Sequence, residues 1–159
     1  MEGGKTGQKP TDRAKSGVKR SVLTDAEGIP LGLAVDGANR HDMKLAEATL
    51  ENIEAKRPKP TKKKKQNICM DKGYDFDEVR ELVKEFGFTA HMRSRGEEKR
   101  KIKMSARKKA RRWVVERAHS WLNRFRALLI RWTKRADTYI TLLHFACGII
   151  TWRSTGLLG

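Results

Sequence analysis

The sequence predicts an α/β fold, in which helices flank a sheet, on three observations. Two short apolar runs, residues 18–24 and 29–35, stand on either side of a glycine-containing turn, which is typical of a β-hairpin. Residues 67–92 follow the pattern strand, helix, strand, which predicts two parallel strands joined by a crossover helix. Apolar residues then recur at helical spacing through the C-terminal third. At 159 residues the chain is long enough to form one domain, 1–159, with a real core.

The segments before and after the hairpin differ in composition. Residues 1–17 are rich in Gly, Lys and Thr, which predicts a loop or an extended arm. Apolar residues recur at helical spacing over residues 42–53, which predicts a short helix. The segment 56–65 then holds seven basic residues and two prolines, a composition typical of a solvated loop.

The strand–helix–strand segment has recognisable ends. Residues 67–70 form a short apolar run, typical of a buried strand that ends at Asp71. Asp75 and Glu78 have the spacing of a capping box, with Asp as the capping residue. The helix that follows has an apolar face and ends before Gly87, where a glycine often terminates a helix. The chain then returns to an apolar run, which predicts the second strand.

The C-terminal part, residues 105–159, predicts one long basic helix over 106–133 and an apolar helix over 140–152. The apolar stripe of the long helix consists of Ala110, Val114, Ala118, Trp121, Leu122, Phe125, Leu128, Leu129 and Trp132.

The charge of the chain is strongly positive and concentrated. The net charge is +17, and residues 93–135 hold 17 Lys or Arg against three acids, a net of +14. Such an excess favours a polyanionic partner, either nucleic acid or an anionic membrane surface. The longest apolar stretch, residues 139–152, is too short to span a bilayer, so nucleic acid is the leading class. Two distant cysteines exclude a disulfide framework and favour a reducing compartment.

Two acidic residues stand out against this basic background. At 100° per residue, Glu116 falls about 200° from Val114, on the face opposite the apolar stripe. One interpretation is a surface ion pair with Arg112 at i,i+4, and the other is a carboxylate that binds a divalent metal ion beside substrate phosphates. Asp71, at the end of a predicted strand, is either a turn residue or a second metal ligand.

The surroundings of these acids resemble motifs of bacterial insertion-sequence transposases of the DDE type, in the IS5/IS4-like group. Residues 70–75, Met-Asp-Lys-Gly-Tyr-Asp, are similar to the second-aspartate motif of that group. Residues 111–126, which contain Glu116, resemble its third-acid motif. The segments 9–13, 28–31, 39–42 and 143–146 are also similar, so the resemblance covers essentially the whole chain.

The resemblance implies a ribonuclease-H-like mixed sheet with flanking helices, in which three acids hold two divalent metal ions, Mg²⁺ or Mn²⁺. Carried over by motif, Asp71 is the second acid and Glu116 the third. The implied reaction is in-line phosphoryl transfer that cuts the element's ends and joins them to target DNA. The arginines expected to contact DNA are Arg111, Arg112, Arg117, Arg124, Arg126 and Arg131. A homo-oligomer at full length and a bacterial cytoplasmic, nucleoid-associated location are also implied, with no membrane partner.

One sub-signature of the wider group, Tyr-x2-Arg-x3-Glu-x6-Lys, is matched only in part. Arg112 and Glu116 match it, whereas Lys109 and Asn123 occupy the Tyr and Lys positions. Lys109 and Asn123 are therefore assigned supporting roles, and Arg124 or Arg126 is a candidate to supply the missing cation.

The first catalytic aspartate of the family has no clear counterpart. Asp12 lies in the arm, Asp25 at the hairpin turn, and Asp36 follows the hairpin that the family's first acid precedes. We therefore expect a C-terminal portion of the catalytic domain that lacks the central first strand, is marginally stable and is inactive in strand transfer. The alternative is a non-catalytic DNA-binding remnant that competes for element ends or partner subunits. An RNA-binding protein would explain the charge but not the acid motifs.

Overall fold

The computed structural model describes residues 5–8, 16–92 and 112–156. The chain divides into two compact units, one formed by Met1–Glu54 with Trp113–Gly159 and the other by Ala55–Arg112. Strands and helices occur in both units, which confirms the predicted α/β class. The ribonuclease-H-like sheet and the absence of its first strand stay predictions.

The first unit contains a three-stranded antiparallel sheet. Its strands are β1 (Gly7–Gln8), β2 (Ser16–Thr24) and β3 (Pro30–Gly37), in that order. The β2–β3 pair is the predicted hairpin, with Val18 opposite Gly37. The two-residue strand β1 pairs with the start of β2, within a segment for which the sequence predicts only a loop or extended arm.

The turn of the hairpin is held by the side chain of Asp25. Its Oδ1 accepts hydrogen bonds from the backbone N–H groups of Glu27, at 2.8 Å, and Ile29, at 2.9 Å. Gly28 has a φ of +89°, in the left-handed region that favours glycine. Asp25 is therefore a turn residue, as its position in the sequence predicts.

Helix α1 (Asp42–Glu51) follows the hairpin and confirms the short helix predicted there. The N-cap is His41, whose Nδ1 accepts the backbone N–H of Met43 at 3.4 Å. This contact gives His41 a structural role at the start of the helix. On the buried side of the helix, the Thr49 hydroxyl donates a hydrogen bond to the carbonyl of Leu45, at 2.6 Å, and its oxygen can accept one from the Ser21 hydroxyl, at 2.8 Å.

The predicted long basic helix is wrong in its C-terminal part. The helix that begins this region, Arg112–Asn123, ends before Phe125, which has an extended backbone at φ −81° and ψ 102°. A four-residue helix (Arg126–Leu129) follows. The break places Leu128 in the core but leaves Leu129 and Trp132 on the surface, where the sequence predicts buried positions.

The last helix (Ala136–Ser154) confirms the predicted C-terminal helix and extends it at both ends. Since helices are labelled in chain order, the second unit's helix (Asp77–Glu85) is α2, and α3, α4 and α5 are Arg112–Asn123, Arg126–Leu129 and Ala136–Ser154. The core of the first unit joins β3 to these three helices. Its buried members are Leu33, Val35, Leu122, Leu128, Tyr139, Leu143, Ala146 and Ile150.

The second unit contains the predicted strand–helix–strand. Strand β4 (Gln66–Met70) pairs in parallel with β5 (Phe88–Met92), and α2 connects them. Val79 and Val83 of α2 are fully buried. Gly87 has a φ of +78° just after the helix, which confirms the predicted glycine terminus.

The predicted capping box at the start of α2 is wrong. The N-cap is Phe76, without a side-chain cap hydrogen bond, and the carboxylate of Asp75 pairs instead with Arg80. The Asp75 carboxylate thus accepts from the charged guanidinium of Arg80. The prediction had it accept from the backbone N–H groups at the start of the helix.

The basic loop predicted over 56–65 is confirmed as an exposed segment without helix or strand. Arg57 attaches it to the rest of the second unit, since its guanidinium lies 4.1 Å from the ring centroid of Phe88 and donates to the carbonyl of Phe86.

Along the described residues, no helix combines the length and apolar character that crossing a bilayer requires.

Several predicted features lie outside the described residues. They are the start of the long helix over 106–111, the supporting residue Lys109, the DNA-contacting Arg111, and Asp12 of the arm.

The core position of Leu143 gives a stability prediction. Leu143 is fully buried, whereas Leu129 is 58% exposed. We expect Leu143→Ala to lower the free energy of unfolding by about 2–5 kcal/mol, because it removes apolar contacts and leaves a cavity. The matched change Leu129→Ala should alter it by no more than about 0.5 kcal/mol. Urea denaturation followed by circular dichroism measures both, and equal effects would contradict the assigned core.

Candidate nucleic-acid interface

Glu116 lies on the outer face of α3. Val114, Ala118 and Leu122 of the same helix are buried at 3%, 0% and 0% exposure, whereas Glu116 is exposed. The apolar face packs inward, so the acid on the opposite face is directed to the surface, as the helical period predicts. The side chain of Arg112 lies outside the description, so the Arg112–Glu116 ion pair stays a prediction.

Asp71 follows β4 directly, at the carboxyl end of the parallel strand pair, and is exposed. Its backbone carbonyl accepts the N–H of Tyr74 at 3.0 Å, at the start of the short 3₁₀ helix Lys72–Tyr74. The position at the strand end is the one that the sequence predicts. Asp71 belongs to the second unit and Glu116 to the first.

The described residues contain no cluster of three or more His, Cys, Asp or Glu side chains arranged to hold a metal ion. Asp36, one of the early acids considered as a catalytic residue, has local partners. Its Oδ1 accepts the backbone N–H of Gly37 at 2.7 Å, and its Oδ2 lies 3.2 Å from the Arg40 guanidinium.

Arg117, predicted to contact DNA, is engaged within the first unit. Its guanidinium donates to the carbonyl of Glu27 in the hairpin turn. It also lies 4.8 Å and 4.9 Å from the ring centroids of Trp113 and Trp121, within range of cation–π attraction. Arg117 therefore fixes α3 to the hairpin turn. A pocket of about 420 Å³ beside it is lined by Ala26, Glu27, Ile29, Trp113, Arg117, Trp121 and Ser154.

The other described arginines that the sequence predicts to contact DNA fall into two groups. Arg124 and Arg126 are exposed at the junction of α3 and α4, where they are accessible to a polyanion. Arg131 lies 5.2 Å from the ring centroid of Tyr139 and donates to the carbonyls of Thr133 and Lys134. Arg131 therefore stabilises the segment between α4 and α5.

Arg20 is a residue of this surface that the sequence does not identify. It lies on β2, and its Nη2 donates to Oδ1 of Asn123 at 2.7 Å, which joins residues 103 positions apart. Its charge also acts on His119: burial lowers the pKa of this imidazole, and the Arg20 charge lowers it further. No local motif marks Arg20, because its partner comes from a distant helix.

The first unit of this α/β protein thus carries an exposed acid on one helix and two exposed arginines just beyond that helix, an arrangement suited to a nucleic-acid partner. Residues 2–149 match the family model described as Transposase DDE domain. The chain is also 35% identical over 154 residues to a putative transposase for insertion sequence element IS402 from Burkholderia cepacia, with 94% of this chain and 70% of that protein covered. No solved structure matches the chain.

The chain therefore belongs to the DDE transposases of bacterial insertion sequences. Membership in this family indicates DNA transposition and a DNA partner, which confirms the nucleic-acid class inferred from the charge.

Cys147 offers a test of the packing of α5 against this region. Burial raises the pKa of its thiol to about 11, although the Arg20 charge opposes the shift. In a Cys69→Ser variant we expect the labelling rate of Cys147 by a thiol reagent to rise about tenfold per pH unit between pH 8 and 10, because only the thiolate reacts. A rate that levels off by pH 9 would contradict the buried position, and the unfolded protein supplies the control.

Proposed function

We propose that the family's reaction, metal-dependent phosphoryl transfer in which cleavage at element ends is followed by strand transfer, uses Asp71 and Glu116 as two of its acids, and that residues 1–159 are inactive by themselves. The observation that carries the proposal is the placement of both carboxylates: one follows a parallel strand at its carboxyl end, and the other projects from the outer face of a basic helix. Neither is buried, so both carboxylates are accessible to a metal ion and to DNA.

The donor chemistry of these two residues fits a hard divalent cation. Carboxylate oxygens are the ligands that Mg²⁺ and Mn²⁺ take in phosphoryl-transfer sites, usually shared with substrate phosphates. Each of these carboxylates would serve as a metal ligand, and the metal, when bound, would supply charge stabilisation at the reacting phosphate. The chain's own contribution is to keep both carboxylates at the surface and to place the exposed Arg124 and Arg126 just beyond the helix that carries Glu116.

Arg124 and Arg126 support the DNA-binding part of the proposal. Both are exposed just beyond the end of the helix that carries Glu116. Arginine binds phosphate through several parallel donors, so an exposed pair at this place suits a DNA backbone. Binding to element ends and target DNA, a homo-oligomer and a location at the bacterial nucleoid belong to the same proposal.

The expected inactivity of residues 1–159 by themselves rests on the early acids. Among the described early acids, Asp25 holds the hairpin turn and Asp36 pairs with Arg40. Neither is therefore assigned the role of the first catalytic acid. We expect no Mg²⁺-dependent end cleavage by this chain alone. Cleavage that Asp71→Ala abolishes would contradict this expectation while supporting the role of Asp71.

A second candidate is a non-catalytic DNA-binding protein that competes for element ends or partner subunits. The exposed cations favour it as much as they favour catalysis. The two candidates differ in their need for metal, because simple binding tolerates the loss of both acids.

A metal-dependent affinity measurement separates these candidates. At constant ionic strength, Mn²⁺ should strengthen binding to element-end DNA, measured by fluorescence anisotropy. Glu116→Gln and Asp71→Asn should each weaken the metal's apparent affinity by about tenfold or more, since each removes a ligand. The exposed Glu81 provides the matched change, Glu81→Gln, which corrects for the lost negative charge. An Mn²⁺ effect that is absent, or that survives both substitutions, would favour the non-catalytic protein.

The DNA surface has its own test. Log K for DNA should fall linearly with log salt concentration, and each lost phosphate contact should reduce the slope by about 0.9. The double variant Arg124→Gln/Arg126→Gln should therefore lower the slope by about one to two. Arg153→Gln, which removes an exposed cation at the end of α5, should leave it unchanged. Equal slopes in all three proteins would exclude the α3–α4 junction as the interface.

A further inference from the structure

The side chain of Arg20 carries a positive charge that no described neighbour balances with an ion pair. Its Nη2 is bonded to Asn123, but its Nη1 is buried and has no hydrogen-bond partner among the described residues. Within that part of the chain Arg20 also forms no ion pair. A half-buried guanidinium in this state costs free energy, so an anion beside it stabilises the site.

The titratable neighbours of Arg20 do not supply this anion. Burial, and next the Arg20 charge, lower the pKa of His119, so its imidazole is neutral at pH 7. Burial raises the pKa of Cys147 to about 11, so its thiol is neutral as well. These two neighbours therefore do not neutralise the charge of Arg20, which suits this guanidinium to an anion supplied by a bound molecule.

The Arg20 contact lies on the face of α3 that carries Glu116. Asn123 follows Glu116 by seven residues, which is about 20° around the helix and about 10.5 Å along it. Asn123 is exposed, and its amide nitrogen forms no hydrogen bond within the described residues, whereas its oxygen is occupied by Arg20. The pair thus presents an amide donor at the surface with a guanidinium behind it.

We propose that Asn123 and Arg20 form a composite phosphate-binding site, in which the Asn123 amide donates to a DNA phosphate oxygen and Arg20 supplies the charge. This inference rests on the proposed function and adds a DNA contact on the helix face of Glu116. It also accounts for Asn123 at the Lys position of the family signature, because Arg20 brings a cation to that position from β2. Arg124 and Arg126 are then not needed to supply the cation that the signature places at this position.

The test combines salt-dependent DNA binding with exchange of the cation between the two positions. Arg20→Gln should lower the salt slope by about 0.9 and weaken binding about tenfold, because one charge contact is lost. Asn123→Lys alone should not raise the slope, since the new cation is adjacent to Arg20 and meets the same phosphate. The double variant Arg20→Gln/Asn123→Lys should restore the slope of the original protein. Lys19→Gln is the matched control, since Lys19 is the β2 neighbour of Arg20 and pairs with Asp42.

Circular dichroism and gel filtration of each variant separate structural effects from binding. If Arg20→Gln fails to fold, Arg20→Lys, which retains the charge, should keep the slope, and Asn123→Ala, which removes the amide donor, should weaken DNA binding. An unchanged slope in folded Arg20→Gln, or a slope that rises in Asn123→Lys alone, would overturn the proposal. A change of oligomeric state in Arg20→Gln without a change of slope would assign the anion to a carboxylate of another chain. Absence of salt-dependent binding in the original protein would instead refute the proposed function.

Discussion

The burial of one face of α3 is the constraint on which the surface of the first unit depends. Ala118 and Leu122 are fully buried, and Leu122 packs in the same core as Leu33 of β3 and Leu143 of α5. Because the helix cannot rotate without exposing these residues, its opposite face is fixed toward solvent. Glu116 and Asn123 lie on that face. The orientation of the acid and of the proposed phosphate contact is thus a consequence of apolar packing.

Polar contacts then fix the sheet to the same helix from two directions. At the hairpin turn, Arg117 bonds to the carbonyl of Glu27 and contacts two tryptophan rings. Further along β2, Arg20 bonds to Asn123. Arg117 therefore holds the helix, although the family motif in which it lies suggested DNA contact. Arg20 comes from the sheet and brings charge to the helix surface.

The sequence predicted the elements whose signals are local. The hairpin, the strand–helix–strand over residues 67–92 and Gly87 as a helix terminus all depend on spacing and turn chemistry within a few residues. The break after Asn123 was not predictable from the apolar period, because it depends on Leu128 reaching a core shared with Tyr139 of α5. The Asp75 cap failed for a similar reason, since Arg80 competes for the carboxylate. Arg20 has no local signal at all.

The central claim is that the Glu116 face of α3 contacts DNA, and site-directed cross-linking tests it most directly. In a variant with both native cysteines replaced by serine, a photoreactive group is attached through Ser120→Cys, about 40° from Glu116 on α3. The same group on Thr151→Cys, an exposed position of α5, provides the comparison. We expect cross-links to element-end DNA from position 120 and few or none from position 151. Cross-linking from position 151 with none from position 120 would contradict the assignment of this face to DNA.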